Sequence, residues 1–262
     1  MDLGLQGKVA LVAASSKGLG RAVAEELSAE GASLMLCARG ADALEETAGG
    51  LRSKGARVET LAIDLTAAGA AEQVADAARN RFGQIDILIT NAGGPPPGPF
   101  EAHNLETWRA AVSLLLETAV DLARQVLPEM KERRWGRIIN ITSIAVKQPV
   151  DNLILSNSIR AAVTGMARTL ANEVAPFGIT VNNVLPGYTR TERVVELAEA
   201  LGKRDGITAQ DVVKRWESEI PMHRMGEPKE FAACVAFLAS ERASFITGTS
   251  ITVDGGWVKG LL

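Results

Sequence analysis

Val9-Ala10-Leu11-Val12-Ala13-Ala14-Ser15-Ser16-Lys17-Gly18-Leu19-Gly20 is the stretch that decides the fold of this 262-residue chain. The unbroken apolar run from Val9 to Ala13 is the signature of a strand buried on both faces. It passes directly into a turn bearing serine and glycine. That turn leads into an apolar i, i+3, i+4, i+8 stripe at Leu19, Ala22, Val23 and Leu27, closed by Gly31. A strand, a glycine turn and a helix in that order form an anion site. The first amides of the helix are unsatisfied, the helix dipole adds positive potential, and glycine lets a phosphate approach the backbone. Gly-x-Gly alone is a weak signal. Placed between a first strand and a first helix, it reads as the pyrophosphate site of a dinucleotide, formed by Ala14, Ser16, Lys17, Gly18, Leu19 and Gly20.

Outward from this stretch, short runs rich in Val, Ile and Leu recur at Leu34 to Ala38, Val58 to Ile63, Ile85 to Ile89, Arg137 to Ile141, Ile179 to Val184 and Ser250 to Val253. Helical patterns separate them. The expected class is therefore α/β: a Rossmann-type, doubly wound parallel sheet of about seven strands with helices on both faces, in a single domain over residues 1–262. Ligands of such sheets lie at the carboxyl edge of the strands. Two irregular stretches follow strands there and are candidates for substrate loops. One lies near residues 93–101, where Gly93 to Pro99 holds four prolines and three glycines, and the other spans residues 187–221, a polar stretch that contains helical pieces up to Ile220.

Composition narrows the partners. Apolar residues make up 47% and charged residues 23%, enough for a large soluble core. The formal charge is −3, with both signs interspersed, so no basic stripe is present for nucleic acid or an anionic membrane. No apolar stretch approaches the length of a membrane span, and the Met-Asp-Leu-Gly start lacks the pattern of a signal peptide. Cys37 and Cys234 lie in apolar contexts that suit buried free thiols, which fits a cytoplasmic protein. His103 and His223 are far apart and have no cysteine pairs with them, so no metal site is expected.

The end of the second strand selects the cofactor. An acidic residue there would hold a ribose 2′-hydroxyl, but this chain has Ala38 followed by Arg39. Lys17 and Arg39 can converge on a 2′-phosphate through charge-assisted hydrogen bonds, so NADP(H) is expected rather than NAD(H).

Further landmarks carry a resemblance. Asp64-Leu65 follows the third strand, Asn91-Ala92-Gly93 the fourth, Ser143 ends Asn140-Ile141-Thr142-Ser143 after the fifth, and Pro186-Gly187 follows the sixth. Gly248 and Val253-Asp254-Gly255-Gly256 complete the series. In this order they resemble the short-chain dehydrogenase/reductase family, in particular its 3-oxoacyl-acyl-carrier-protein reductases, over Gly7 to Gly256. The resemblance implies adenine contacts at Asp64 and Leu65, and support of sheet and cofactor by Asn91, Ala92 and Gly93. It also implies nicotinamide contacts at Pro186, Gly187, Thr189 and Thr191, with Ser143 orienting a substrate carbonyl. A homotetramer is implied as well, paired through the long helices Asn104 to Arg133 and Asn152 to Ala175 and through the last strand.

The same resemblance exposes a departure. Where the family carries Tyr-x-x-x-Lys, this chain reads Ser156-Asn157-Ser158-Ile159-Arg160, and the family's helix asparagine is Ser113. An aliphatic hydroxyl is a poor acid, and a guanidinium does not release a proton near neutral pH. Arg160, one turn after Ser156, can still bind ribose hydroxyls and stabilise an oxyanion. The proton is then expected from Lys147 or from a water. Tyr188, the only tyrosine, either points towards the nicotinamide or caps its loop, and the second reading is adopted. The expected activity is an NADP(H)-dependent interconversion of a carbonyl and a secondary alcohol, acting on a small molecule. The alternative is a non-catalytic NADP(H)-binding sensor or assembly protein.

Overall fold

The computed structural model describes residues 2–261. Seven strands alternate with helices: β1 Val9–Ala13, α1 Gly18–Ala29, β2 Ser33–Ala38, α2 Ala41–Arg52, β3 Val58–Ala62, α3 Ala70–Phe82 and β4 Ile87–Thr90 make the first half. The second half runs α4 Leu105–Val112, α5 Thr118–Arg133, β5 Gly136–Ile141, α6 Ile154–Val174, β6 Ile179–Pro186, α7 Glu192–Asp205, α8 Ala209–Glu219, α9 Pro228–Ala239 and β7 Ser250–Val253. All pairings are parallel, in the order β3-β2-β1-β4-β5-β6-β7. The chain leaves β1 towards β2 on one side and returns to β4 on the other, so the crevice between the ends of β1 and β4 is the topological switch point.

The apolar runs explain the layering. Alternate residues of a strand point to opposite faces, and here both faces are covered. Ala10 and Val12 of β1, Leu34 and Leu36 of β2, and Ile87 and Ile89 of β4 pack against α1, α2 and α9. Their neighbours Leu11, Met35 and Leu88 pack against α3, α5 and α6. Each fully buried Leu or Ile of this kind stabilises the fold by about 1.5–3 kcal/mol. A third apolar cluster, with Ala198 of α7, Val212 and Trp216 of α8, and Trp257, builds a wall above the carboxyl edge.

Several strand ends differ from the sequence expectation by one or two residues, as where β6 runs on to Pro186, and two departures have a physical reason. β4 begins at Ile87, because Asp86 turns its carboxylate inward to accept from the Val9 amide at 2.9 Å. The expected long helix from Asn104 to Arg133 is interrupted by a π turn over Ser113–Glu117, between α4 and α5. A π turn inserts one residue into the helical ladder without changing the apolar pattern, so periodicity does not reveal it. Among the described residues, no helix is long and apolar enough to cross a membrane, and no group of three His, Cys, Asp or Glu could hold a metal ion.

Candidate functional site

The glycine turn after β1 is held open by close packing. Ala14 has a φ of 49°, a left-handed conformation that costs an L-residue roughly 1–2 kcal/mol, and Gly18 has a φ of 58°. At Gly20 a Cβ would strike the Ala14 carbonyl oxygen and lie 2.9 Å from Nδ2 of Asn91. That Nδ2 in turn donates to Ala14 O at 3.4 Å, so the motif after β4 braces the turn after β1. Ser16 lends its carbonyl to the Thr47 hydroxyl at 2.9 Å, tying the turn to α2. Lys17 is the N-cap of α1 and provides no side-chain cap. The first amides of α1 therefore stand at the switch point with only the dipole and neighbouring cations to define their partner, which suits a phosphate.

The adenosine side is also partly assembled. The Asp64 carboxylate accepts from the amide and hydroxyl of Thr66 at 3.0 and 2.8 Å. These bonds, with Arg39 nearby, hold it below the usual carboxylate range. Leu65 packs on the core beneath. Arg39 is exposed and forms no ion pair among the described residues, which leaves its guanidinium available. The Lys17 Nζ lies 3.9 Å from Glu196 of α7. Thr191, at the N-cap of α7, closes on the glycine turn, with its Cβ 3.7 Å from where a Gly18 Cβ would lie. Sequence reasoning did not single out α7 at this point, because its contacts with the turn span more than 170 residues.

Beyond β4, Gly93 has open space on its Cβ side, while a Cβ on Gly94 would lie 3.2 Å from Nη2 of Arg193. At the end of β6, a Cβ on Gly187 would meet the Asp254 Cα at 2.7 Å, so only glycine lets these two segments approach. Pro186 is half-buried. Thr189 is 3% exposed, and its hydroxyl donates inward to the Gly187 carbonyl at 3.3 Å.

The catalytic end centres on a cleft of about 430 Å3. Ser143, just past β5, lines it, and its Oγ accepts from the Ala145 amide at 3.1 Å. That bond orients the oxygen and leaves the hydroxyl proton free to donate. The residues set off by the departure from the family pattern lie elsewhere. Neither Ser156 nor Lys147 belongs to the cleft wall, and Lys147 is an exposed side chain. Its place in a 3-10 turn, whose apolar residues Ile144 and Ala145 point inward, turns the ammonium outward. Arg160 reaches back to the sheet, and its Nη1 donates to the carbonyls of Ile141 and Thr142 at 3.0 and 2.9 Å. Desolvation, helped by Arg193, lowers its pKa to about 10, so it remains a cation at neutral pH. It borders a second, water-sized cavity with Asn91, Leu114 and Thr142, whose buried hydroxyl has no partner among the described residues. Ser113 opens the π turn beside this cavity and gives its carbonyl to the Thr118 hydroxyl at 3.0 Å.

The other cleft wall is aromatic. Tyr188 stacks on Trp216 with ring centroids 4.6 Å apart and meets the Trp257 edge at 6.1 Å. It lines the cleft and does not merely cap its loop. Arg204 and Arg215 stand at the rim, both drawn to Asp205 at 2.7 and 3.7 Å.

Known proteins share this arrangement across their whole length. A family model described as enoyl-(acyl carrier protein) reductase matches residues 13–258. The 3-oxoacyl-(acyl-carrier-protein) reductase FabG of Haemophilus influenzae is 36% identical over 252 residues, covering 96% of this chain and 98% of that one. The NADPH-dependent reductase BacG of Bacillus subtilis is 32% identical over 256 residues, covering 97% and 99%. Among solved structures, L-sorbose reductase from Gluconobacter frateurii, complexed with NADPH and L-sorbose, is similar at a TM-score of 0.95 and 37% identity, with both chains fully covered.

Proposed function

This chain belongs to the short-chain dehydrogenase/reductase family, and from that we propose that it uses NADP(H) to interconvert a small-molecule ketone or aldehyde and its alcohol, with Ser143 as the carbonyl anchor. The coarse class, an NADP-dependent carbonyl oxidoreductase, is that of its relatives. The observation that carries the finer reading is the Ser143 hydroxyl, oriented by the Ala145 amide at the cleft wall. A protein that only binds cofactor has no use for a donor placed there.

The chain's own groups divide the work. The first amides of α1 and the side chains of Lys17 and Arg39 fit the phosphates. Asn91 braces the turn, and Pro186, Gly187 and Thr191 shape the nicotinamide end. When bound, the reduced cofactor supplies a hydride. Ser143 donates a hydrogen bond to the carbonyl oxygen, which polarises the bond and sets the carbon in line for attack. Arg160, held on the β5 carbonyls, contributes a fixed positive charge behind the site. The proton comes from a group outside the Ser156 and Arg160 pair, since neither side chain is both acidic and presented to the cleft.

The test is loss of NADPH absorbance across ketones, aldehydes, keto-sugars and 3-oxoacyl thioesters, with Ser143→Ala as the control. Turnover on none of them, together with tight NADPH binding, would favour a non-catalytic sensor or assembly protein. We also propose a homotetramer acting in the cytoplasm. Leu105 at the start of α4 is a large apolar side chain left exposed on a helix that the resemblance pairs, and Phe100 in the turn before that helix and Phe245 ahead of β7 are exposed as well. Light scattering after gel filtration tests the assembly.

A further inference from the structure

The cleft holds a hydride acceptor site, yet its family acid position is a serine that does not reach the wall, and Lys147 faces away. We infer that Tyr188 has taken over as the proton donor, delivered from the end of β6 on the neighbouring strand. This rests on the reading of the cleft as a carbonyl-reducing site.

Strand register supports the placement. β5 and β6 pair in parallel with Ile141 opposite Val184, and the Thr142 amide continues the ladder by donating to the Val184 carbonyl at 3.1 Å. Extending that register sets Ser143 opposite Pro186, with neighbouring strands about 4.8 Å apart. Tyr188 lies two residues further along, on the same carboxyl edge, and both side chains line one cleft. A carbonyl oxygen accepting from Ser143 there is presented to the adjoining strand end.

Packing fixes the ring and leaves the hydroxyl for the substrate. One face of Tyr188 is covered by Trp216, and the Trp257 edge closes another side. The backbone is pinned as well, since the Gly226 amide donates to the Tyr188 carbonyl at 2.9 Å and the Gly187 amide to Val253 at 3.0 Å. Nothing among the described residues takes up the phenolic hydrogen.

Relative acidity decides among the cleft's donors. Burial, with Glu219 nearby, raises the Tyr188 pKa to about 12. The phenol is thus fully protonated in the working range, yet it remains a stronger acid than water or an aliphatic hydroxyl such as that of Ser143. Asp151 and Glu219 also line the wall, and the Glu219 carboxylate accepts from the Trp257 indole at 3.3 Å.

The step balances without a further reagent. A bound reduced nicotinamide would supply the carbonyl carbon with a hydride and its electron pair and would itself be the group oxidised. The carbon–oxygen π pair moves to oxygen, and that oxygen takes the proton as the Tyr188 O–H bond breaks. The phenolate recovers a proton from water entering the open cleft.

Tyr188→Phe keeps the ring on Trp216 and removes only the acid. We expect kcat to fall about 10²-fold or more, with NADPH affinity by fluorescence titration and Tm both unchanged. Because the chain has one tyrosine, growth on 3-fluorotyrosine labels that position alone with a more acidic phenol, and it should raise kcat several-fold and alter the solvent deuterium isotope effect. If Tyr188→Phe loses stability or NADPH binding, the fluorinated protein decides in its place. A Tyr188→Phe enzyme keeping more than about a third of wild-type kcat, or a fluorinated enzyme with unchanged rate and isotope effect, overturns the donor while leaving the reductase reading intact. Wild-type protein that binds NADPH and reduces nothing on the carbonyl panel overturns both.

Discussion

The heads of α1 and α6 invite comparison, because both begin at the carboxyl edge of the sheet without a side-chain cap and both lie where the family places its most diagnostic residues. At α1 the constraint is backbone. Gly20 has no room for a Cβ, Gly18 needs a positive φ, and Asn91 is bonded to the turn, so the local sequence has few alternatives if a phosphate is to be held. At α6 the constraint is side-chain chemistry alone. The helix keeps its course through Leu155, Ile159 and Val163, all buried, while other sides of the same turns carry Ser156, half-buried, and Arg160, folded onto the carbonyls of Ile141 and Thr142. A packed stripe thus preserves the helix even after its reactive residues have changed. Fold and cofactor site can persist while the acid is free to be lost or to move.

Substitutions at the two helix heads should therefore differ in kind. The largest effect is expected at Gly20→Ala, where a methyl group meets the Ala14 carbonyl. Displacing the turn costs about 1–3 kcal/mol, seen as a lowered Tm together with NADPH binding weaker by about 10²-fold. Unchanged binding would show that the turn is more compliant than its packing implies. Next comes Lys17→Ala with Arg39→Ala, which should abolish a preference for NADPH over NADH of about tenfold to a hundredfold, measured by parallel titrations. A preference that survives both changes would mean that other groups hold the 2′-phosphate.

The catalytic end should respond more selectively. Ser143→Ala is expected to lower kcat/KM by about tenfold or more, because its hydrogen bond strengthens as charge develops on the carbonyl oxygen. Ser156→Ala should change kcat by less than about threefold in the same assay, as befits a hydroxyl that does not reach the cleft. The reverse order would restore Ser156 to the position that the family tyrosine implies. The smallest effect is expected at Ala14→Gly. Relief of the left-handed φ is partly offset by the added freedom of the unfolded chain, leaving a gain of roughly 0.5 kcal/mol, detectable as a small rise in Tm.

Much of the fold was legible because buried parallel strands and amphipathic helices write their periods locally. Val9 to Ala13, Arg137 to Ile141 and Ser250 to Val253 are strands where the apolar runs put them, give or take a residue. The π turn at Ser113 left no such trace, and α7 and α8 were legible only as helical pieces without bounds in the polar stretch after Pro186. Ser143 was legible through its place at a strand end. Lys147 and Tyr188 were not, since nothing local distinguishes a side chain turned to solvent from one turned into a cleft.

The sequence by itself determined a doubly wound α/β chain with a glycine turn suited to a phosphate, a basic residue where an acid would exclude a 2′-phosphate, and the serine proposed to orient a carbonyl, with Ser156 and Arg160 where the resemblance implies tyrosine and lysine. Each of these is a property of a few consecutive residues and the dihedral or charge they impose. Tertiary structure alone decided that Arg160 folds back onto the carbonyls of Ile141 and Thr142, that Lys17 reaches across to Glu196, and that Tyr188 stands on Trp216 in the cleft wall. Those meetings join residues from 18 to 179 positions apart, and they follow from strand register and helix packing. Local sequence fixes which groups a chain carries. The summed packing of distant segments fixes which of them face one another.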